Sequence, residues 1–112
     1  MRNSLVIISC LILTAFGAMA DDEMPTPTFS YIEKAILTPK CVRCHSQTHA
    51  SDGYAFDSYD ETMKAVNTKD PSSSLIYTIT NEGWMPPTQS ERLSEDEEYL
   101  LLQWIEEGAQ DN

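Results

Sequence analysis

Cys41-Val42-Arg43-Cys44-His45 places two thiols and an imidazole within five consecutive residues, and this motif constrains the fold of the 112-residue chain more than any other stretch. Whatever engages all three side chains must approach one short segment, so the remaining chain has to be arranged around it. The third cysteine, Cys10, lies in a different kind of region. Residues 1–20, MRNSLVIISCLILTAFGAMA, join a basic start at Arg2 to an apolar run from Leu5 to Phe16 and a small-x-small triplet, Ala18-Met19-Ala20. These are the parts of a secretory signal peptide cleaved after Ala20. The run is shorter than the roughly 20 apolar residues of a spanning helix, so a retained anchor fits less well, and a lipid-attachment signal ending at Cys10 fits less well still. The expectation is an exported, periplasmic protein without stable membrane insertion, in which Cys41 and Cys44 are the only cysteines.

Loss of residues 1–20 leaves 92 of 112, one small domain near the size at which burial alone gives only marginal stability. An additional source of core is expected. Without Arg2 the balance is 6 basic against 18 acidic residues, so the formal charge moves from −11 to −12. Such a surface disfavours nucleic acid and anionic membrane and favours basic protein partners; plain solubility is the bland explanation of the same charge.

Residues 21–28, DDEMPTPT, carry two prolines and no apolar periodicity and read as a flexible leader. In FSYIEKAIL, Phe29, Ile32 and Ile36 share a helical face, Ser30 and Glu33 have capping-box spacing, and Pro39 is expected to end the helix. A second helix is expected in SYDETMKAV, capped by Ser58 with Glu61 and presenting Tyr59, Met63 and Val66. Asp70-Pro71 has the chemistry of a helix start, followed by SSSLIYTI with Leu75, Ile76 and Ile79 for the core. NEGWMPPTQ is irregular because of its adjacent prolines. Ser94 and Glu97 then open a helix through YLLLQWIEE that ends at Gly108. No pair of segments has hairpin spacing, so the fold class predicted is all-α, with about four short helices, spanning 29–109 and followed by a tail at 110–112.

Three chemistries compete for Cys41, Cys44 and His45. A dithiol redox centre sits at the end of a strand in a β-rich fold, and no such sheet is indicated. A structural zinc site needs four ligands, usually in two separated pairs, whereas the only other histidine is His49, four residues on. Covalent haem attachment uses all three residues: each thiol adds to a vinyl group and His45 reaches the iron. One covalently attached haem c, with its iron, is therefore expected, and it would supply the missing core, leaving the apoprotein largely unfolded.

The order of an apolar helix, CVRCH, GYAFDSYDE, DPSSSLIY, GWMPPT and LSEDEEYLLLQWIEEGA resembles that of the small single-haem cytochromes c of planctomycete type. The resemblance covers Phe29 to Ala109. It implies a cytochrome c-like helical fold around the haem, with the first and last helices packed together.

The second iron ligand decides between electron transfer and reactivity. His49 is tethered too closely to His45 to reach the opposite face of a haem. Met24 lies in the leader, and Met63 lies on an apolar helix face where methionine usually fills a core, although it remains the runner-up. Met85 lies 40 residues beyond His45 and precedes Pro86-Pro87, which stiffen its loop; the resemblance implies that a methionine-proline pair there supplies the ligand. Trp84 is a candidate to pack on the haem or bond a propionate, and Tyr54, Phe56, Leu75, Tyr77 and Trp104 are candidates for pocket or core.

The function this implies is a carrier of single electrons between redox proteins, not an enzyme, working as a monomer or as part of a redox complex. A haem sensor or peroxidase-like protein with an accessible iron is the alternative, although no distal acid-base pair is evident. A further alternative is an electron-entry subunit of a separate oxidase or dehydrogenase. Seven acids and no Lys or Arg occur from Leu93 to Asn112, while Lys40 and Arg43 flank the motif, an arrangement that would give a charge dipole for docking partners with basic surfaces.

Overall fold

Residues 23–112 are described by a computed structural model; the signal peptide expected at 1–20 lies outside the described residues. The first helical run comprises α1 (Phe29–Ile32), a π-helical stretch (Glu33–Leu37) and α2 (Thr38–Lys40). Its cap is Thr28, not Ser30: the Thr28 hydroxyl accepts the Tyr31 N–H at 3.1 Å. Starting there brings Phe29 into the helix, where Phe29, Ile32, Ile36 and Leu37 all face the core. Pro39 does not end the run, which continues to Lys40. The Thr38 N–H bonds the Glu33 carbonyl five residues back. This wider spacing just ahead of a residue that lacks an N–H is a recognised way for a helix to absorb a proline.

The chain then forms β1 (His45–Ser46) and β2 (His49–Ala50), an antiparallel pair in the register His45 to Ala50 and Ser46 to His49. The fold is thus helix-rich with one small two-stranded sheet, and not purely helical as expected. Strands of two residues joined by Gln47 and Thr48 are too short for an alternating apolar pattern, so the sequence carried no strand signal. A 3₁₀ turn (Ser51–Gly53) leads on to α3 (Tyr59–Met63), which Ser58 caps by accepting the Glu61 N–H at 3.2 Å. The capping box is not closed there, because the Glu61 carboxylate turns to Lys64 at 2.8 Å.

Asp70-Pro71 opens a 3₁₀ turn (Pro71–Ser73), and the helix proper, α4 (Leu75–Asn81), starts after Ser74. A further 3₁₀ turn (Gln89–Glu91) precedes α5 (Glu95–Glu106). Here the capping box is complete: Glu97 N–H bonds Ser94 Oγ at 3.2 Å and Ser94 N–H bonds the Glu97 carboxylate at 2.9 Å. Gly108 ends the helix at φ 106°. Its N–H reaches Ile105 O and the Ala109 N–H reaches Trp104 O, the paired bonds of a glycine-terminated helix.

The core lies where α1 crosses α5, built from Phe29, Ile32, Ile36 and Leu37 against Leu100, Leu101, Trp104 and Ile105. Phe29 and Trp104 pack at a tilt of 37° with ring centroids 5.7 Å apart, and Tyr59 and Phe29 meet edge to face at 5.2 Å. Each such apolar side chain contributes about 1.5–3 kcal/mol when fully buried. The residues expected to form a tail fold back: Asn112 accepts the free Phe29 N–H on its side chain at 2.9 Å and the Ser30 N–H on its carbonyl at 3.2 Å. The first and last helices are therefore joined both by packing and by hydrogen bonds, and their union holds α2, and with it Cys41, in place.

Candidate haem-attachment site

The π-to-α run delivers the motif as a tight turn. Cys41 N–H and Val42 N–H both bond Leu37 O, at 2.9 and 3.0 Å, and His45 N–H closes on Cys41 O at 2.9 Å. Both thiols are free; Cys44 is exposed and Cys41 is half-buried. Burial pushes the Cys41 thiol up to about 11, with the neighbouring Lys40 charge opposing it. A dithiol redox centre needs a lowered thiol pKa, so this environment argues against that chemistry. Among the described residues no three His, Cys, Asp or Glu side chains converge as a metal-ligand set, which argues against structural zinc.

His45 is held by its own surroundings. Its Nδ1 lies 3.0 Å from Tyr54 O, and Phe56 packs edge-on at 5.3 Å between centroids. A carbonyl can only accept, so Nδ1 carries the proton and Nε2 keeps a lone pair free for a metal. Phe56 N–H in turn bonds His45 O at 2.7 Å. The GYAF segment thus orients the imidazole from both its ring and its backbone.

Cys41, Cys44 and His45 border a cavity of about 410 Å³. Tyr54 and Phe56 line it from the following loop, Leu75, Ile76, Ile79 and Thr80 from α4, and Met85, Pro86 and Pro87 from the loop beyond. Gly83, at φ 79°, turns the chain back at the end of α4, so that Trp84 N–H and Met85 N–H both bond Ile79 O, at 3.0 and 3.1 Å. That turn brings Met85 to the cavity. The Met85–Pro86 peptide is cis. Volume and lining suit a largely apolar, drug-sized or larger group, and the free thiols, the tautomer of His45 and the thioether of Met85 supply the donors that haem would use. The residues present fit a haem.

The other candidates lie elsewhere. Met63 packs on the core and His49 is exposed. Met24 borders a larger depression, about 760 Å³, between the leader and α5, which contains neither cysteine nor histidine. Of the pocket-or-core residues, Tyr54, Phe56 and Leu75 line the cavity, while Tyr77 and Trp104 belong to the core. Trp84 is 69 % exposed and does not line the cavity. Lys40 and Arg43 do border it, but both are paired: Lys40 Nζ with the Glu97 carboxylate at 2.7 Å, Arg43 with Glu91 at 3.0 Å. The positive end of the expected dipole is thereby largely neutralised. Sequence reasoning missed these pairs and the Tyr54 carbonyl; a main-chain acceptor leaves no residue-type signal, and contacts across about fifty positions have no local one.

A helix-rich domain in which Cys-x-x-Cys-His borders an apolar cavity together with a methionine has the make-up of a c-type cytochrome. Residues 41–89 match the family described as Planctomycete cytochrome C. The family implies covalently held haem c with its iron and the carrying of electrons. The match stops short of α1 and α5, whose place in the domain rests on the packing described above. No curated protein and no solved structure matches the chain.

Proposed function

We propose that the chain is an exported, periplasmic carrier that passes single electrons between redox proteins through one haem ligated by His45 and Met85, and that it is not itself an enzyme. Cys41 and Cys44 hold the group by thioether bonds. Bound there, the haem supplies a one-electron iron couple. His45 offers Nε2, oriented by the Tyr54 carbonyl, and Met85 offers a thioether. A thioether paired with an imidazole favours the reduced metal and raises the potential. Pro86, which is buried, and Ile79 fix the backbone on either side of that thioether, while the buried Phe56 and Ile76 give the cavity an apolar wall.

The observation that carries this reading is that Met85, alone among Met24, Met63, Met85 and His49, borders the same cavity as Cys41, Cys44 and His45. A filled second position leaves no place for a substrate, which is why electron transfer is favoured over a sensor or peroxidase role. The partners proposed are redox proteins with basic surfaces, because the chain carries a formal charge of −11 and its cations at the cavity are already paired. Docking would be brief, through a small interface. Met85→Ala tests the ligand assignment: the weak sulfur-to-iron charge-transfer band of the oxidised protein should vanish, the potential should fall and carbon monoxide should bind. An unchanged band and potential would remove Met85 from the iron.

A further inference from the structure

The loop that carries Met85 is anchored at its start by Ile79 and at its end by buried Leu93 and the Ser94 cap of α5, and few hydrogen bonds hold the stretch between them. Met85 N–H bonds Ile79 O, but beyond it the backbone bonds of Pro86 to Arg92 are internal to the loop: Glu91 N–H to Thr88 O and Arg92 N–H to Gln89 O. Among the described residues, two side chains alone connect this stretch to the rest by hydrogen bonds. Lys40 Nζ donates to Arg92 O at 3.2 Å, and Arg43 Nη2 donates to Glu91 at 3.0 Å. Both cations belong to the segment that bears Cys41 and Cys44.

The two tethers are unequal. The Arg43 side chain is 76 % exposed, and ion pairs of that kind contribute little. The Lys40 side chain is 21 % exposed, and its ammonium makes two contacts at once, to the Arg92 carbonyl and to the Glu97 carboxylate. Glu97 is itself fixed by the Ser94 cap of α5. Lys40 thus joins three parts: the segment that bears Cys41, the far end of the Met85 loop at Arg92, and the start of α5.

We propose that Lys40 is a positioning residue for Met85, a strap from the cysteine motif that keeps the methionine loop closed over the cavity. The proposal rests on Met85 being the second iron ligand. Removal of Lys40 takes away the hydrogen bond at Arg92 O and loosens the stretch between Met85 and Leu93, so the thioether spends a larger share of its time away from the metal, while the α1–α5 core is untouched.

The test uses the haem-loaded protein and its Lys40→Met, Lys40→Arg, Arg43→Gln and Met85→Ala variants, read by the rate of carbon monoxide binding to the reduced form and by amide hydrogen exchange at Glu91 and Arg92. Lys40→Met should bind carbon monoxide about tenfold faster, equivalent to ~1.4 kcal/mol, and lose amide protection at both positions with helical circular dichroism unchanged. Lys40→Arg, which can span the same contacts, should return to within about twofold of the parent, and Arg43→Gln should stay there. An unchanged rate and unchanged exchange in a folded Lys40→Met overturn the proposal, as does an Arg43→Gln effect of equal size. If Lys40→Met loses its helical signal, Lys40→Gln, which shortens the side chain and removes its charge while leaving Glu97 in the Ser94 capping box, is judged by the same two outcomes. Should Met85→Ala match the parent in spectrum and carbon monoxide rate, the ligand assignment itself fails; a changed Met85→Ala beside a silent Lys40→Met defeats the strap alone.

Discussion

Trp104 separates the part of the domain that holds the protein together from the part that holds the cofactor. The residue is 1 % exposed, and its indole packs at a tilt against Phe29 at 5.7 Å and donates its N–H to Gln110 O at 3.0 Å. Trp104→Phe keeps an aromatic ring against Phe29 but removes that donor and leaves a small void. The lost hydrogen bond costs about 1 kcal/mol, and the void about another, on the scale of a buried Ile→Val change. In a domain of this size each kcal/mol shifts the thermal midpoint by about 4–8 °C, so a fall of about 8–16 °C is expected by circular dichroism. Because Trp104 does not line the cavity, the visible spectrum and the charge-transfer band should be unchanged at room temperature. A midpoint within about 2 °C of the parent would refute the packing argument. A lost charge-transfer band in a folded variant would refute the separation of core from cavity.

Other expectations follow from single contacts. Ser94→Ala removes the cap of α5 and should cost about 1 kcal/mol, seen as a midpoint lower by about 4–8 °C. Partial burial would raise the Glu97 carboxyl, but the hydrogen bonds and charge of Lys40 and the bonds from Ser94 outweigh it and hold it below its ordinary value of 4.5. A carboxylate depressed in the folded state stabilises fully above its unfolded pKa and loses that contribution as pH falls through the folded one. The gap in thermal midpoint between the parent and Glu97→Gln should therefore be present at pH 7 and shrink as the pH drops below about 4.5; a gap constant with pH would contradict the assignment. Electron exchange with a basic redox protein should slow steeply as salt is added, and a flat dependence would leave the acidic surface without a steering role.

Much of this arrangement is legible in the sequence because it is written in local chemistry. Cys41, Cys44 and His45 announce their site by spacing alone, Met85 by the prolines after it, and α5 by Ser94, Glu97 and Gly108, all of which act within a few residues of themselves. What escaped notice depends on distance or on backbone. Ser30 and Thr28 are both capable caps, and the choice between them turns on whether Phe29 must enter the helix to meet Trp104, 75 positions away. Pro39 reads as a terminator unless the π spacing ahead of it is known. The β1–β2 pair is held by two residues on each side, below the length at which a pattern exists. Lys40 and Arg43 read as free cations because their partners, Glu97 and Glu91, lie about fifty residues on.

On the function proposed above, His45 and Met85 would both bind the iron of one haem in a protein that passes electrons. The visible absorption spectrum of the haem-loaded protein, oxidised, reduced, and reduced under carbon monoxide, tests this. Sharp c-type bands, a weak sulfur-to-iron band in the oxidised form, and no response to carbon monoxide are expected. A spectrum that shifts under carbon monoxide would contradict it, and would mean an open iron and a reactive or sensing role.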